Sequence, residues 1–117
     1  MIYSEPANPR QPWSRRAVVT RVGGGHALWP ADLDGDGDEE LAFGWRLKGR
    51  MPYDRPGVAV YDPGTEEVQI VDWGGMATED LTVADLNGDG RNDIVAAGRS
   101  THNLKIYWNE GLKPEPR

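Results

Sequence analysis

Residues 32–40, Asp-Leu-Asp-Gly-Asp-Gly-Asp-Glu-Glu, constrain this chain more than any other stretch, because they recur. Residues 85–93 read Asp-Leu-Asn-Gly-Asp-Gly-Arg-Asn-Asp, a repeat of 53 residues. In both copies an oxygen-bearing side chain stands at loop positions 1, 3, 5 and 9, and glycine at 4 and 6. Alternate oxygens on a tightly turned loop converge on one point, and the glycines let the backbone fold back without a Cβ clash. The first loop offers Asp32, Asp34, Asp36 and Glu40, with the carbonyl of Asp38. The second offers Asp85, Asn87, Asp89 and Asp93, with the carbonyl of Arg91.

Asp/Gly-rich stretches also make plain turns. Two copies with one oxygen pattern argue for more than a turn. So does charge, since clustered carboxylates without a cation repel one another. All donors are hard oxygens, with no thiolate or imidazole, so the expected ion is Ca²⁺, two per chain. Magnesium fits less well because it prefers to keep its waters. The loops open like those of an EF-hand, yet position 12 is Phe43 in one and Ala96 in the other, where an EF-hand needs a bidentate Glu. The flanks, Leu-Thr-Val-Ala before the second loop and Ile-Val-Ala-Ala after it, are short apolar runs that suit buried strands rather than helices.

Composition agrees. The 117 residues suffice for one modest domain and include 15 Gly, 9 Pro and five Trp, with no long helical periodicity, which favours short strands and turns. The formal charge of −6 would fall to −2 with two divalent cations bound. No basic stripe marks a nucleic-acid partner. No cysteine reports a redox compartment. Residues 1–13 lack the apolar core of a signal peptide, and no segment is long enough to span a membrane. The expectation is a cytoplasmic protein or a piece of a longer exported one.

Along the chain, residues 1–12 read as a tail rich in proline and asparagine. Strands are expected over 13–22, 26–33, 41–45, 58–61, 67–73, 82–86, 94–97 and 104–108. Breaks are expected at Gly23-Gly24-Gly25 and at the turn Asp62-Pro63-Gly64-Thr65. Residues 46–56 are a basic polar loop and 98–103 a shorter connection. Residues 109–117 read as a polar tail, with the repeats ending near 111 and the last segment being 112–117. Four strands per repeat, with the oxygen loop between the first two, account for one full unit. Repeat two lacks its fourth strand. Residues 16–24, Arg-Ala-Val-Val-Thr-Arg-Val-Gly-Gly, resemble residues 67–75, Glu-Val-Gln-Ile-Val-Asp-Trp-Gly-Gly, so the missing strand stands at the other end of the chain. Periodic four-stranded units of this length are blade-like.

The two loops resemble the calcium loops of FG-GAP and VCBS repeats, as in the integrin α-subunit propeller. The likeness covers roughly residues 14–111. It implies an all-β fold with two four-stranded blades in residues 13–111, in the order d-abcd-abc. It further implies a Ca²⁺-binding module that serves as a scaffold or binds a protein or carbohydrate ligand. Propellers of that family usually carry seven blades. Two cannot close a ring and leave open edges and apolar faces. The expectation is a cyclic homo-oligomer in which residues around Val18 complete a blade of the neighbour. A trimer of six blades is favoured over a tetramer of eight.

A second polar set lies outside the loops. His26 and Glu79 each precede a loop by six residues, Asp80 follows Glu79, and His102 lies in a connection of repeat two. In a propeller these converge near one mouth of the channel, and imidazole with carboxylate suits a transition metal or acid–base work. The stretches 74–81 and 98–108 resemble the propeller part of aldos-2-ulose dehydratase-like proteins. That implies an alternative function, a metal-dependent carbohydrate lyase or dehydratase with His26, Glu79, Asp80 and His102 as candidate catalytic residues.

Overall fold

A computed structural model describes residues 1–111, so the expected end segment 112–117 lies outside the described residues. The chain is all-β, in three antiparallel sheets, with no helix among the described residues. β1 (Ile2–Ser4) pairs with β2 (Ser14–Arg16) as a small ribbon. β3 (Gly23–Ala31), β4 (Glu40–Leu47), β5 (Gly57–Asp62) and β6 (Glu67–Trp73) form a four-stranded meander. β7 (Thr78–Ala84), β8 (Asp93–Gly98) and β9 (Asn103–Tyr107) form a three-stranded one. Each oxygen loop joins the first two strands of its sheet, β3 to β4 and β7 to β8.

Several local expectations are corrected. Within residues 1–12, Ile2–Ser4 is a strand. The strand expected over 13–22 shrinks to Ser14–Arg16, and its partner is β1. Beyond Arg16 the chain leaves strand geometry, and Val19 and Val22 turn onto the four-stranded sheet, where apolar contact outweighs further pairing. The break expected at Gly23-Gly24-Gly25 is instead the start of β3. β4 runs on to Leu47, two residues past the expected end, and Gly23 pairs with it. A Cβ at Gly23 would stand 2.4 Å from the Lys48 carbonyl oxygen, so glycine is what lets the two backbones approach. β7 begins at Thr78, four residues before the expected start. Pro30 lies inside β3, which a central strand would not allow. β3 is an edge strand, so the missing N–H costs no pairing with a neighbour on its free side.

The two larger sheets stack face to face. Between them lie Ala42 and Val58 from one, Leu81, Val83, Ile94 and Ala96 from the other, and Met76 from the connection that joins them, all buried. The fit is close at Gly44, where any Cβ would meet the Thr78 side chain at 2.3 Å. Thr78 is itself fully buried and donates its hydroxyl to the Gly57 carbonyl (3.0 Å). At the rim, Asp72 of β6 accepts from Lys105 Nζ (2.9 Å) and Tyr107 Oη (2.6 Å) of β9. These donors hold the Asp72 carboxyl below its usual range although burial alone would raise it, and burial together with Asp72 pushes the Tyr107 phenol up.

A second cluster caps the other face of the four-stranded sheet. Trp45 is fully buried, meets Tyr53 edge-on at 5.2 Å between ring centroids, and donates its indole N–H to the Arg55 carbonyl (2.7 Å). Val19 and Val22 of the N-terminal segment pack against this cluster. Thus residues 46–56, read from the sequence as a basic polar loop, contribute Tyr53 to a core.

Candidate metal centre

The loops reach the same backbone shape by the same hydrogen bonds. In the first, both oxygens of Asp32 accept, Oδ1 from Gly35 N–H (2.7 Å) and Oδ2 from Gly37 N–H (2.9 Å). In the second, Asp85 accepts likewise from Gly88 and Gly90, each at 2.9 Å. The side chain at position 3 accepts from the N–H at position 5 in each: Asp34 from Asp36 (3.0 Å), Asn87 from Asp89 (3.3 Å). That at position 5 accepts from position 7: Asp36 from Asp38 and Asp89 from Arg91, each at 2.9 Å. The glycines at positions 4 and 6 all have φ between 74° and 92°, the left-handed region that a side chain disfavours.

Position 9 closes each loop from its buried end. Glu40 Oε2 accepts from Leu33 N–H (2.6 Å) and Asp34 N–H (3.2 Å). Asp93 Oδ2 accepts from Leu86 N–H (3.0 Å), while its Oδ1 accepts from Asn109 N–H (2.8 Å). The glutamate therefore works through one oxygen and the aspartate through two. In the first loop Asp32, Asp34, Asp36 and Glu40 each bring a carboxylate oxygen within 4.8 Å of one another, a group that can hold a metal ion.

Electrostatics separates the members. Backbone N–H donation from Gly37 and Gly35 holds Asp32 below the usual carboxylate range. The Asp36 N–H pulls Asp34 the same way, but desolvation and the neighbouring carboxylates of Asp36 and Asp32 outweigh it and leave Asp34 raised. Burial pushes Glu40 up, and the charges of Asp34 and Asp36 add to it. A divalent cation at this point would relieve the crowding of like charges.

Two amides, Asn92 and Asn109, tie the loops to each other. Asn92 Nδ2 donates to the Asp32 carbonyl (2.9 Å) and Asn109 Nδ2 to the Leu33 carbonyl (2.6 Å). Neither was singled out by the sequence. Asn92 carried a signal, an amide where the first loop has Glu39, whereas Asn109 sat in a stretch that reads as a tail. A groove of about 500 Å³ opens beside the first loop, with Asp34, Glu40, Val60, Tyr107 and Trp108 among its walls.

The second polar set is brought together only in part. His26 Nδ1 lies 2.6 Å from the Glu79 carbonyl oxygen and 3.5 Å from its carboxylate. The other Glu79 oxygen accepts from Arg46 (3.1 Å), a residue the sequence did not single out. These contacts join β3 and β4 to β7 across the sheets. Asp80 accepts from the N–H of Leu81 (2.9 Å). His102 sits in the turn before β9 with φ +52°, its N–H donating to the Arg99 carbonyl (3.2 Å). Among the described residues these four form no group of three metal-ligating atoms, in contrast to the first loop.

Compared with family models, curated proteins and solved structures, the chain matches none.

Proposed function

We propose that this chain is a Ca²⁺-binding repeat module of the propeller type. Its two sheets are successive blades, and its two loops are the ion sites that fix the blade geometry. The reading rests on one observation: a loop with four carboxylate oxygens within 4.8 Å has its hydrogen-bond scheme reproduced 53 residues later. In the first loop Asp32, Asp34, Asp36 and Glu40 would hold the ion with the Asp38 carbonyl. In the second, Asp85, Asn87, Asp89 and Asp93 would do so with the Arg91 carbonyl. The ion supplies charge neutralisation and cross-links the loop to the buried start of the next strand. The product is a rigid scaffold, and the groove beside the first loop is the natural place for a ligand. The lyase alternative gains no support, because Glu79 is committed to Arg46 and His26.

Calorimetric titration of metal-free chain with calcium tests this. Two equivalents should bind, and Asp34→Ala or Asp89→Ala should each remove one. Absence of binding at millimolar calcium would defeat the reading.

A further inference from the structure

We infer that copies of this chain associate head to tail, the open face of the three-stranded sheet in one copy seating on the outer face of the four-stranded sheet in the next. The inference goes beyond cation binding and does not rest on it.

The argument is one of register. Residues directly opposed in paired strands share a face. In the four-stranded sheet Gly44 opposes Val58 and Ala42 opposes Val60, and this face is covered by the three-stranded sheet. In the three-stranded sheet the corresponding pairs are Ala97 with Leu104 and Val95 with Ile106. Nothing among the described residues covers them: Leu104 is 65% exposed and Ile106 41%, where Val58 is fully buried. The opposite faces differ too, although Tyr53, Val19 and Val22 cover the part of the four-stranded sheet around Trp45 and Ala59. Leu81, 4% exposed, opposes Ala96 in the buried interface. Its counterpart Leu28 opposes Phe43, faces outward, and is 62% exposed. The described residues thus hold one complete sheet–sheet interface and two exposed faces that repeat its halves.

The occupant that fits is a second copy. The surface needed over Leu104 and Ile106 is the repeat of the one that covers Val58 and Val60, and this chain presents its exposed part at Leu28, beside the half-buried Phe43. The sheet edge agrees. Among the described residues no fourth strand pairs with β9, where β6 completes the first sheet. Residues 17–22, which align with the second to seventh residues of β6, belong to no strand and run directly into β3, as β6 leads into β7. Head-to-tail seating brings the next copy's residues 17–22 beside that free edge. The contact is heterologous, so each copy uses a different face.

Light scattering on the full chain at micromolar concentration, in calcium and in chelator, reads this out. Wild type should show a multiple of 12.9 kDa. Leu28→Asp and Leu104→Asp alter exposed positions, so both should keep the wild-type circular dichroism and each alone should be monomeric. Mixed in equal amounts they should form a dimer and nothing larger, since each retains the face the other lacks. A monomeric wild type, a variant that keeps the wild-type mass, or a mixture that stays monomeric overturns the proposal. The ion-site reading fails by titration and this one by mass, so the two failures are distinct.

Discussion

The two repeats build the same loop and opposite surroundings for it. Asp32 and Asp85 make matching pairs of hydrogen bonds to glycine N–H groups, yet Leu28 is exposed where Leu81 is buried, and Val58 is buried where Leu104 is exposed. Local sequence fixes the loop because its bonds run over two to seven residues. Burial is set by what stands next to each sheet, and the two repeats have different neighbours. A repeat unit of this kind does not bury its apolar face alone.

Equivalent substitutions should therefore have unequal effects, and the widest gap is expected between Val58 and Leu104. Val58→Asp places a carboxylate in the fully buried layer between the sheets, on the strand position directly opposite Asp72. The expected loss is about 4 kcal/mol or more in urea unfolding, enough to unfold a chain of ordinary stability. Leu104→Asp, measured where the chain is monomeric, should change stability by no more than about 0.5 kcal/mol. Similar losses at both sites would mean that the faces are not inequivalent in solution.

That asymmetry also explains what the sequence showed and what it hid. The loops were legible because oxygens and glycines at fixed spacing have few other uses, and the structure places their hydrogen bonds at matching positions. Most strands of the two main sheets were legible from short apolar runs between turn signals. The N-terminal segment was not. Val18, Val19 and Val22 suit a strand, but Val19 and Val22 satisfy themselves against Trp45 and Tyr53, a tertiary contact that no local pattern announces. The set at His26, Glu79, Asp80 and His102 looked convergent by spacing alone. Arg46, twenty residues after His26, claims one oxygen of Glu79. Asn109 was hidden for the same reason, since its partners Asp93 and Leu33 lie 16 and 76 residues away.

The loops differ in one respect that calcium should expose. The first brings four carboxylates to positions 1, 3, 5 and 9. The second has Asn87 at position 3, and Asp93 spends both oxygens on backbone N–H groups. Fewer free anionic oxygens mean weaker binding of a hard cation. The first site should bind more tightly, by about tenfold, and Asn87→Asp should narrow the gap. With free calcium a hundredfold above Kd, each filled site should add about 2.7 kcal/mol to stability, and chelator should remove it. Calorimetry on Asp34→Ala and Asp89→Ala, each of which leaves one site, measures the two affinities separately. Equal affinities would show that the position-3 amide is an equivalent ligand.

A smaller effect than at Val58 is expected where the two repeats touch at their rim. Asp72 of the first repeat reaches Lys105 and Tyr107 of the second, and their donation holds its carboxyl below the ordinary value of 3.8. A carboxyl depressed in the folded state contributes stability above the unfolded value and loses that contribution as pH falls through the folded one. Asp72→Asn keeps the shape and removes the charge. It should cost roughly 1.5–3 kcal/mol at neutral pH, the range for hydrogen bonds to a charged group. The difference from wild type should shrink below pH 3.8 as the wild-type carboxyl takes up its proton. Urea unfolding of both proteins between neutral pH and pH 3, in chelator so that the loops contribute equally to each, reads the difference directly. A gap that persists unchanged into acid would mean that Asp72 acts through shape alone, and that charge plays no part in joining the two repeats.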